Sequence, residues 1–355
     1  MSLYNKPIID GHLHVYTNKC VEYFFEYKEK YGFDAICVAC LNNLDMTMEN
    51  DATQNILAAI MKCMDPKGVY ALGGLVYPKF PVTEAPEGYY DFEAQARELI
   101  EMGFDGIKML ENKPTTRKMT ALSTCDPMLD GFYKYLEDDQ VAVISHVADP
   151  ETFWDYDLAP EFSHIEGWFY GDGTFLTKEA IYEEVRQTLT KFPNLKITFP
   201  HFFFLSDHLD EAKKLFDKYP NLKLDITPGR EMYDNFTRHH EKSKEIFNEY
   251  SNRIILGTDM TSTHFQGEPG DMINTITRFL STEDEFSYWD FDIKGIGLSE
   301  EKCKQICHDN FLSNLSDEPK PINKTMLKAY IDRFLPLVKN KETAAFIADF
   351  YKNNL

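Results

Sequence analysis

Eight short apolar runs, each about the length of a strand, alternate with amphipathic helical stretches along almost the whole chain. The runs are residues 7–16, 33–41, 69–77, 104–110, 141–147, 195–199, 222–227 and 253–258. Between them lie 52–64, 92–102, 127–138, 178–191, 207–218 and 241–250, with apolar residues at i, i+3 and i+4. A helix between successive strands carries the chain back to the same end of the sheet, so the strands are expected to run parallel. Eight such units of roughly 30 residues suit a closed α/β fold, the (β/α)8 TIM barrel. The alternative is an open doubly wound sheet, and the lack of a glycine-rich loop after the first strand weakens its dinucleotide-binding version.

Local signals agree with this frame. Asp91 precedes the 92–102 helix as an N-cap and Gly103 follows it as the C′ glycine. Three connections after strands are longer than a barrel needs: 111–125, 149–177 and 260–298. They lie on the face where barrel enzymes hold their sites. The second carries Trp154, Tyr156, Phe162, Trp168, Phe169 and Tyr170, too many rings for a solvated loop, and is expected to fold over the mouth as a lid or to pack in an interface. From Pro319 onward the pattern is helical, at 326–338 and 343–351. The expected organisation is therefore one barrel over 1–315 and a C-terminal helical extension over 316–355, packed on its outside.

Composition excludes several partners. The 355 residues are 43% hydrophobic and 27% charged, enough for a sizeable core. A net charge of −21 with no basic run argues against nucleic acid. No apolar stretch approaches the roughly 20 residues that span a bilayer, so no membrane is expected. Seven scattered cysteines form no disulfide framework, and the start lacks the features of a secretory signal; a cytoplasmic location is expected.

Chemistry concentrates where strands end. Asp10-Gly11-His12-Leu13-His14 places two imidazoles two residues apart, on one face of a strand. The fifth, sixth and eighth runs stop at His146, at His201 and at Asp259. In a barrel those stops converge on one mouth, and a set of histidines with one carboxylate suits zinc, with manganese or iron as alternatives. Taken singly, each residue is equally well explained as a strand cap bonded to a neighbouring loop.

Together these residues resemble the amidohydrolase superfamily, in particular its amidohydrolase-2 group of metal-dependent hydrolases and decarboxylases. The resemblance runs from about Ile8 to Leu315. It rests on His12, His14, His146, His201, the Leu256-Gly257-Thr258-Asp259 segment and a closing helix containing Ile306-Cys307-His308-Asp309-Asn310. It implies that His12, His14, His146 and Asp259 hold one divalent metal and that Asp259 moves protons. It makes His201 either a ligand of a second metal or a catalytic base and electrophile. Two departures stand out: Phe202-Phe203-Phe204 follows His201 where the group often has a glycine, and Met260 stands where a proline-containing turn is usual.

Lys108, inside the fourth run, has three readings: an ammonium facing substrate, a carboxylated lysine bridging a second metal as in binuclear relatives, or a snorkelling structural lysine. Arg230, just past the seventh strand, suits bidentate binding of a carboxylate or a surface ion pair. His164 and Trp168 in the aromatic loop, and His264 beyond Asp259, are further candidates to close over a ligand. Cys37 and Cys40 point to opposite faces of a strand and are expected to be buried thiols. The function expected is hydrolysis of a small carboxylate-bearing amide, lactone or ester by a metal-activated water. The alternatives are non-oxidative decarboxylation or hydration of an unsaturated or aromatic acid, or a metal-free binding barrel. The partner expected is a small anionic molecule, and a homodimer is compatible with the aromatic loop.

Overall fold

Strands buried on both faces read as continuous apolar runs, and all eight are present in the order expected. The computed structural model describes residues 7–42, 52–77, 90–229, 231–261, 269–288 and 290–355. Its main sheet comprises β1 (Ile9–Leu13), β2 (Ala35–Ala39), β3 (Val69–Gly74), β4 (Gly106–Asn112), β5 (Ala142–Val147), β6 (Ile197–Phe199), β7 (Lys223–Asp225) and β8 (Ile254–Ile255). Each strand pairs in parallel with the next. The seam between β1 and β8 closes through backbone bonds beyond the regular ladder. Gly11 N–H donates to the Leu256 carbonyl at 3.1 Å, Asp259 N–H to the His12 carbonyl at 2.8 Å, and His14 N–H to the Met260 carbonyl at 2.9 Å. The chain is a TIM barrel.

The interior is layered along the barrel axis. Ile9, Cys37, Tyr70, Leu72, Ile144, Ile255 and Phe311 fill the end where the strands begin. Phe311, from helix Asn310–Asn314, lies edge-on to Tyr70 at 5.0 Å and plugs that end. Outside the sheet, Ile107, Met109, Val143 and their neighbours pack against the returning helices. Helix Phe92–Met102 has the expected ends: the Asp91 carboxylate accepts from Ala94 N–H, and Gly103 adopts φ 111°.

Two expectations are corrected. The eighth strand, read over 253–258, has regular pairing only at Ile254–Ile255, because the following residues turn to close the seam and Asp259 takes φ 56°. The connection 260–298 is not a plain loop. It contains helix Pro269–Ser281, which buries Met272, Ile273, Ile276, Phe279 and Leu280, and an antiparallel pair, β9 (Glu285–Tyr288) with β10 (Phe291–Lys294). Its apolar spacing is that of a barrel helix, the one that follows β8.

The C-terminal helices Lys324–Phe334 and Lys341–Asn354 pack on the helices that follow β1, β2 and β3. Leu327, Tyr330, Ile331, Ile347 and Phe350 are buried there, and Asn55 donates to the Tyr330 hydroxyl at 2.9 Å. Asp105 ties this tail to the barrel base. It accepts from Lys320 N–H at 2.7 Å and Ala71 N–H at 2.8 Å, and it pairs with the buried Lys62 ammonium. None of the seven cysteines forms a disulfide, and Cys37 and Cys40 are buried thiols as expected.

Two stability predictions follow from buried charge. Lys62→Met leaves the Asp105 carboxylate without its cation and is expected to cost about 3–5 kcal/mol in urea unfolding, with part recovered by adding Asp105→Asn. Glu111, at the end of β4, is fully buried; one oxygen accepts from the Tyr77 hydroxyl at 2.5 Å, and the other has no side-chain partner among the described residues. Burial raises its pKa from 4.5 to about 7. The native state therefore holds this proton more tightly than the unfolded chain, and the group's contribution, full below pH 4.5, is lost as pH rises through 7. Relative to the parent, Glu111→Gln should gain about 2–3 kcal/mol between pH 5 and pH 8 in the same assay.

Candidate metal centre

Side chains at i and i+2 of a strand share a face, and β1 uses this to turn His12 and His14 into the barrel mouth, where both are buried. Two glycines let the seam close around them. A Cβ on Gly11 would stand 2.7 Å from the Leu256 carbonyl oxygen. One on Gly257 would stand 2.7 Å from both the His12 Cβ and the Thr227 hydroxyl. Asp259 then arrives across the seam with 36% of its side chain open to the mouth.

Three histidines are held in the same tautomer. His12 Nδ1 lies 3.0 Å from Asp225 Oδ2, His14 Nδ1 2.5 Å from the Ala39 carbonyl, and His201 Nδ1 3.2 Å from the Thr227 carbonyl. These oxygens only accept, so each Nδ1 carries the proton and each Nε2 is left to face the centre. His14 Nε2 lies 2.7 Å and His12 Nε2 3.8 Å from Asp259 Oδ1, while His201 Nε2 lies 3.9 Å from Oδ2. At 2.7 Å the His14 ring nitrogen and the Asp259 oxygen are close enough to share a proton, and both donor atoms face the centre.

The electrostatics favour a cation. Burial, helped by the Lys108 charge, lowers the pKa of His12 from 6.5 to about 4, and burial does the same for His201. Both imidazoles are therefore neutral at neutral pH. Enclosure pushes the Asp259 carboxyl up, but the hydrogen bond from His14 and the field of His14, His12 and His201 outweigh it and hold Asp259 well below the usual range. One ligand atom each from His12, His14 and Asp259 lie within 4.8 Å of one another. Two histidines and a carboxylate are a donor set that would suit a divalent ion such as zinc.

The other expected residues are placed as follows. His201 borders the trio, its ring 6.4 Å from that of His12. His146 stands 5.2 Å from the His201 ring, but its Nε2 faces the Ala148 carbonyl at 3.0 Å and Asp149 at 3.5 Å, outside the three-ligand group. Lys108 points inward, 2% exposed, with Nζ 3.1 Å from His12 Nε2; burial lowers its pKa to about 8. Among the described residues no carboxylate forms an ion pair with it. Trp168 lies beneath the Lys113 ammonium at 4.6 Å. His164 is exposed and stacks on Phe169 at 4.5 Å, with Tyr156 edge-on at 5.7 Å. Arg230 and His264 lie outside the described residues.

Backbone strain marks the same mouth. Ala148, Asp259 and the four residues His201–Phe204 all have φ between 50° and 60°. Each costs about 1–2 kcal/mol for a residue with a Cβ, and such strain clusters at functional sites. Burying Phe202 and Phe203, and stacking Phe204 on His201 at 5.0 Å, offsets it.

Two carboxylates had no expected role. Asp225 ends β7 as His146 nearly ends β5, and that shared position was the signal available for it. Besides holding His12, it accepts from His201 N–H at 2.9 Å. Asp10 points the other way and joins the seam, accepting from the Thr258 hydroxyl at 2.6 Å and Thr258 N–H at 3.1 Å.

No protein family and no curated protein matches the sequence. Solved structures do. One is 5-carboxyvanillate decarboxylase from Novosphingobium aromaticivorans, complexed with manganese and 4-hydroxy-3-methoxy-5-nitrobenzoic acid, at 12% identity over 87% of this chain and 96% of that one, TM-score 0.52. Another is 4-oxalomesaconate hydratase from Rhodopseudomonas palustris, at 14% identity over 92% and 98%, TM-score 0.54. A third is an uncharacterized TIM-barrel protein from Bordetella bronchiseptica, at 16% identity over 87% and 99%, TM-score 0.53. The chain shares their fold.

Asp225→Asn removes the full acceptor charge behind His12 while keeping its shape. Zinc affinity, measured by competition with a chromogenic chelator, should fall about 10–100-fold without loss of fold; an unchanged affinity would show that Asp225 does not support a ligand.

Proposed function

We propose that the chain is a metal-dependent enzyme of the amidohydrolase-2 type, acting on a small carboxylate-bearing substrate, with hydrolysis of an amide, lactone or ester as the first reading. The observation that carries it is the convergence of His12, His14 and Asp259 within 4.8 Å, with His201 Nε2 bordering the group 3.9 Å from Asp259 Oδ2. His146 is the proposed fourth ligand. Zinc is the first choice, with manganese or iron as alternatives; a second metal on a carboxylated Lys108 is the less favoured form. A bound divalent ion lowers the pKa of its water to about 7 and polarises a carbonyl.

The chain's own groups divide the remaining work. Asp259 is ionised and partly open to the mouth, so it accepts a proton and delivers it to a leaving group. His201 is neutral, its Nδ1 proton held by Thr227, and offers Nε2 as a second acceptor. Lys108, a buried cation without a counter-ion among the described residues, is the proposed seat of the substrate's carboxylate, with Arg230 assisting. Trp168 and His164 belong to the loop proposed to cover the ligand.

Decarboxylation or hydration is the second reading. Lys108 directly beside a ligand histidine suits an acid whose carboxylate lies at the metal, and the decarboxylase of similar fold was solved with manganese and an aromatic acid. No described helix is long and apolar enough to cross a membrane, and seven cysteines without a disulfide suit the proposed cytoplasmic location. A homodimer would cover the exposed Tyr156, Leu158 and Ile165.

Elemental analysis of the purified chain beside His12→Ala and Asp259→Ala tests this. About one equivalent of divalent metal is expected in the parent and a small fraction of it in either variant. Lactones, amides and unsaturated or aromatic acids are then screened, with carbon dioxide release separating decarboxylation. A parent that takes up no metal under any supplementation would leave the binding barrel as the surviving reading.

A further inference from the structure

Asp149 is a buried carboxylate that the proposed reaction does not use. It follows β5, three residues after His146, and is 5% exposed. It accepts from Lys113 Nζ at 2.9 and 3.1 Å and from the Tyr170 hydroxyl at 2.6 Å, and its Oδ1 lies 3.5 Å from His146 Nε2. Lys113 comes from the connection after β4 and sits 4.6 Å over the Trp168 ring. Tyr170 belongs to the aromatic loop, packs against Trp154 at 4.8 Å and Phe175 at 4.9 Å, and donates its N–H to the Phe153 carbonyl at 2.8 Å. Between His146 and Asp149, Ala148 holds φ 60°, and its carbonyl takes the His146 contact at 3.0 Å.

One carboxylate thus meets a candidate ligand on one side and both tryptophan-bearing ends of the loop on the other. Separating buried partners of this kind costs several kcal/mol, because each leaves a charge or hydroxyl unpaired. Lys113, Tyr170 and Asp149 therefore shift together or stay together. His146 Nε2 is engaged with Ala148 and Asp149, outside the three-ligand group. Drawing the imidazole toward that group alters its contact with Asp149, and a shift of Asp149 is felt by Tyr170 and Lys113.

We propose that Asp149 is a positioning residue that couples the seat of the aromatic loop 149–177 to the orientation of His146, so that ion binding at the centre and placement of the loop share one equilibrium. The proposal rests on the reading that a divalent ion binds at His12, His14 and Asp259. It gives the loop a role beyond covering substrate: its position reports, and is set by, the occupancy of the metal centre.

The test uses the full chain carrying Trp289→Phe, so that emission comes from Trp154 and Trp168. Protein stripped with a chelator is titrated with zinc alone, and tryptophan emission is followed beside zinc uptake. Emission is expected to change with the same midpoint as uptake. Asp149→Asn should still bind zinc, about tenfold more weakly, with the emission response cut at least by half. Tyr170→Phe, which keeps the carboxylate and its ion pair, should reduce the response in the same direction and serves if Asp149→Asn does not fold. Zinc uptake with unchanged parent emission, or an undiminished response in both variants, overturns the coupling while leaving the metal centre standing. No zinc uptake by the parent overturns both.

Discussion

Closing the barrel is the step on which the rest of the centre depends. Seven of the eight strand junctions are ordinary parallel ladders, but the last is made by a few backbone bonds from 256–260 to β1. One of them, Asp259 N–H to the His12 carbonyl at 2.8 Å, joins two of the three candidate ligand residues directly. Asp10 reinforces it from behind by taking both the hydroxyl and the N–H of Thr258. Folding and site assembly are therefore one event: a chain whose seam is open has His12 and Asp259 on separate edges, and a chain whose seam is shut has them within reach of one ion. The same dependence explains the two crowded glycines, since any side chain at Gly11 or Gly257 would hold the edges apart.

A second layer sets the chemistry of what the seam brings together. Imidazole binds metal only through a lone pair, and in solution either ring nitrogen can carry the proton. Here a carboxylate or carbonyl behind each of His12, His14 and His201 takes the Nδ1 proton and leaves Nε2 facing Asp259. Burial then keeps His12 and His201 neutral, because a charged imidazole there would lose its hydration. Neutral histidines around an ionised carboxylate form a donor set suited to a divalent cation. Lys108 supplies part of the missing positive charge from below, at 3.1 Å from His12 Nε2.

How much of this was legible depended on whether the signal was local. Strand order, helix limits at Asp91 and Gly103, and the polar residues ending apolar runs are carried by neighbours in sequence, and the sequence pattern suffices for them. Asp225 was legible in position, as another polar residue ending a strand, but its partner His12 is 213 residues away and no spacing predicts their contact. His146 shows the opposite case: its place at the end of β5 was plain, while the direction of its ring is decided by Ala148 and Asp149. Helix Pro269–Ser281 was hidden because the long span from Asp259 to Leu298 reads as one connection, although its own apolar spacing is regular. Phe202, Phe203 and Phe204 were visible as a departure from glycine, and the backbone shows what they do: the left-handed turn is kept, and burial of the rings offsets its strain.

The chain's charge of −21 sits uneasily with the anionic substrate proposed for it until distance is considered. Charges on the outer helices act through water and salt, and beyond about 8–10 Å they are largely screened. A buried ammonium acts through a medium of lower dielectric, where the same charge at a few ångströms is worth several times more. Lys108 is 2% exposed and without a carboxylate partner among the described residues, whereas Lys113 at the rim is neutralised by Asp149. Among the described residues, Lys108 is thus a buried positive charge at the mouth without an ion-pair partner, and a net charge of −21 does not draw an anion in from a distance. For the anionic substrate proposed above, such an arrangement would select by what happens after arrival: the anion would gain little on approach and most of its binding energy only on reaching Lys108 beside His12, next to the candidate metal ligands.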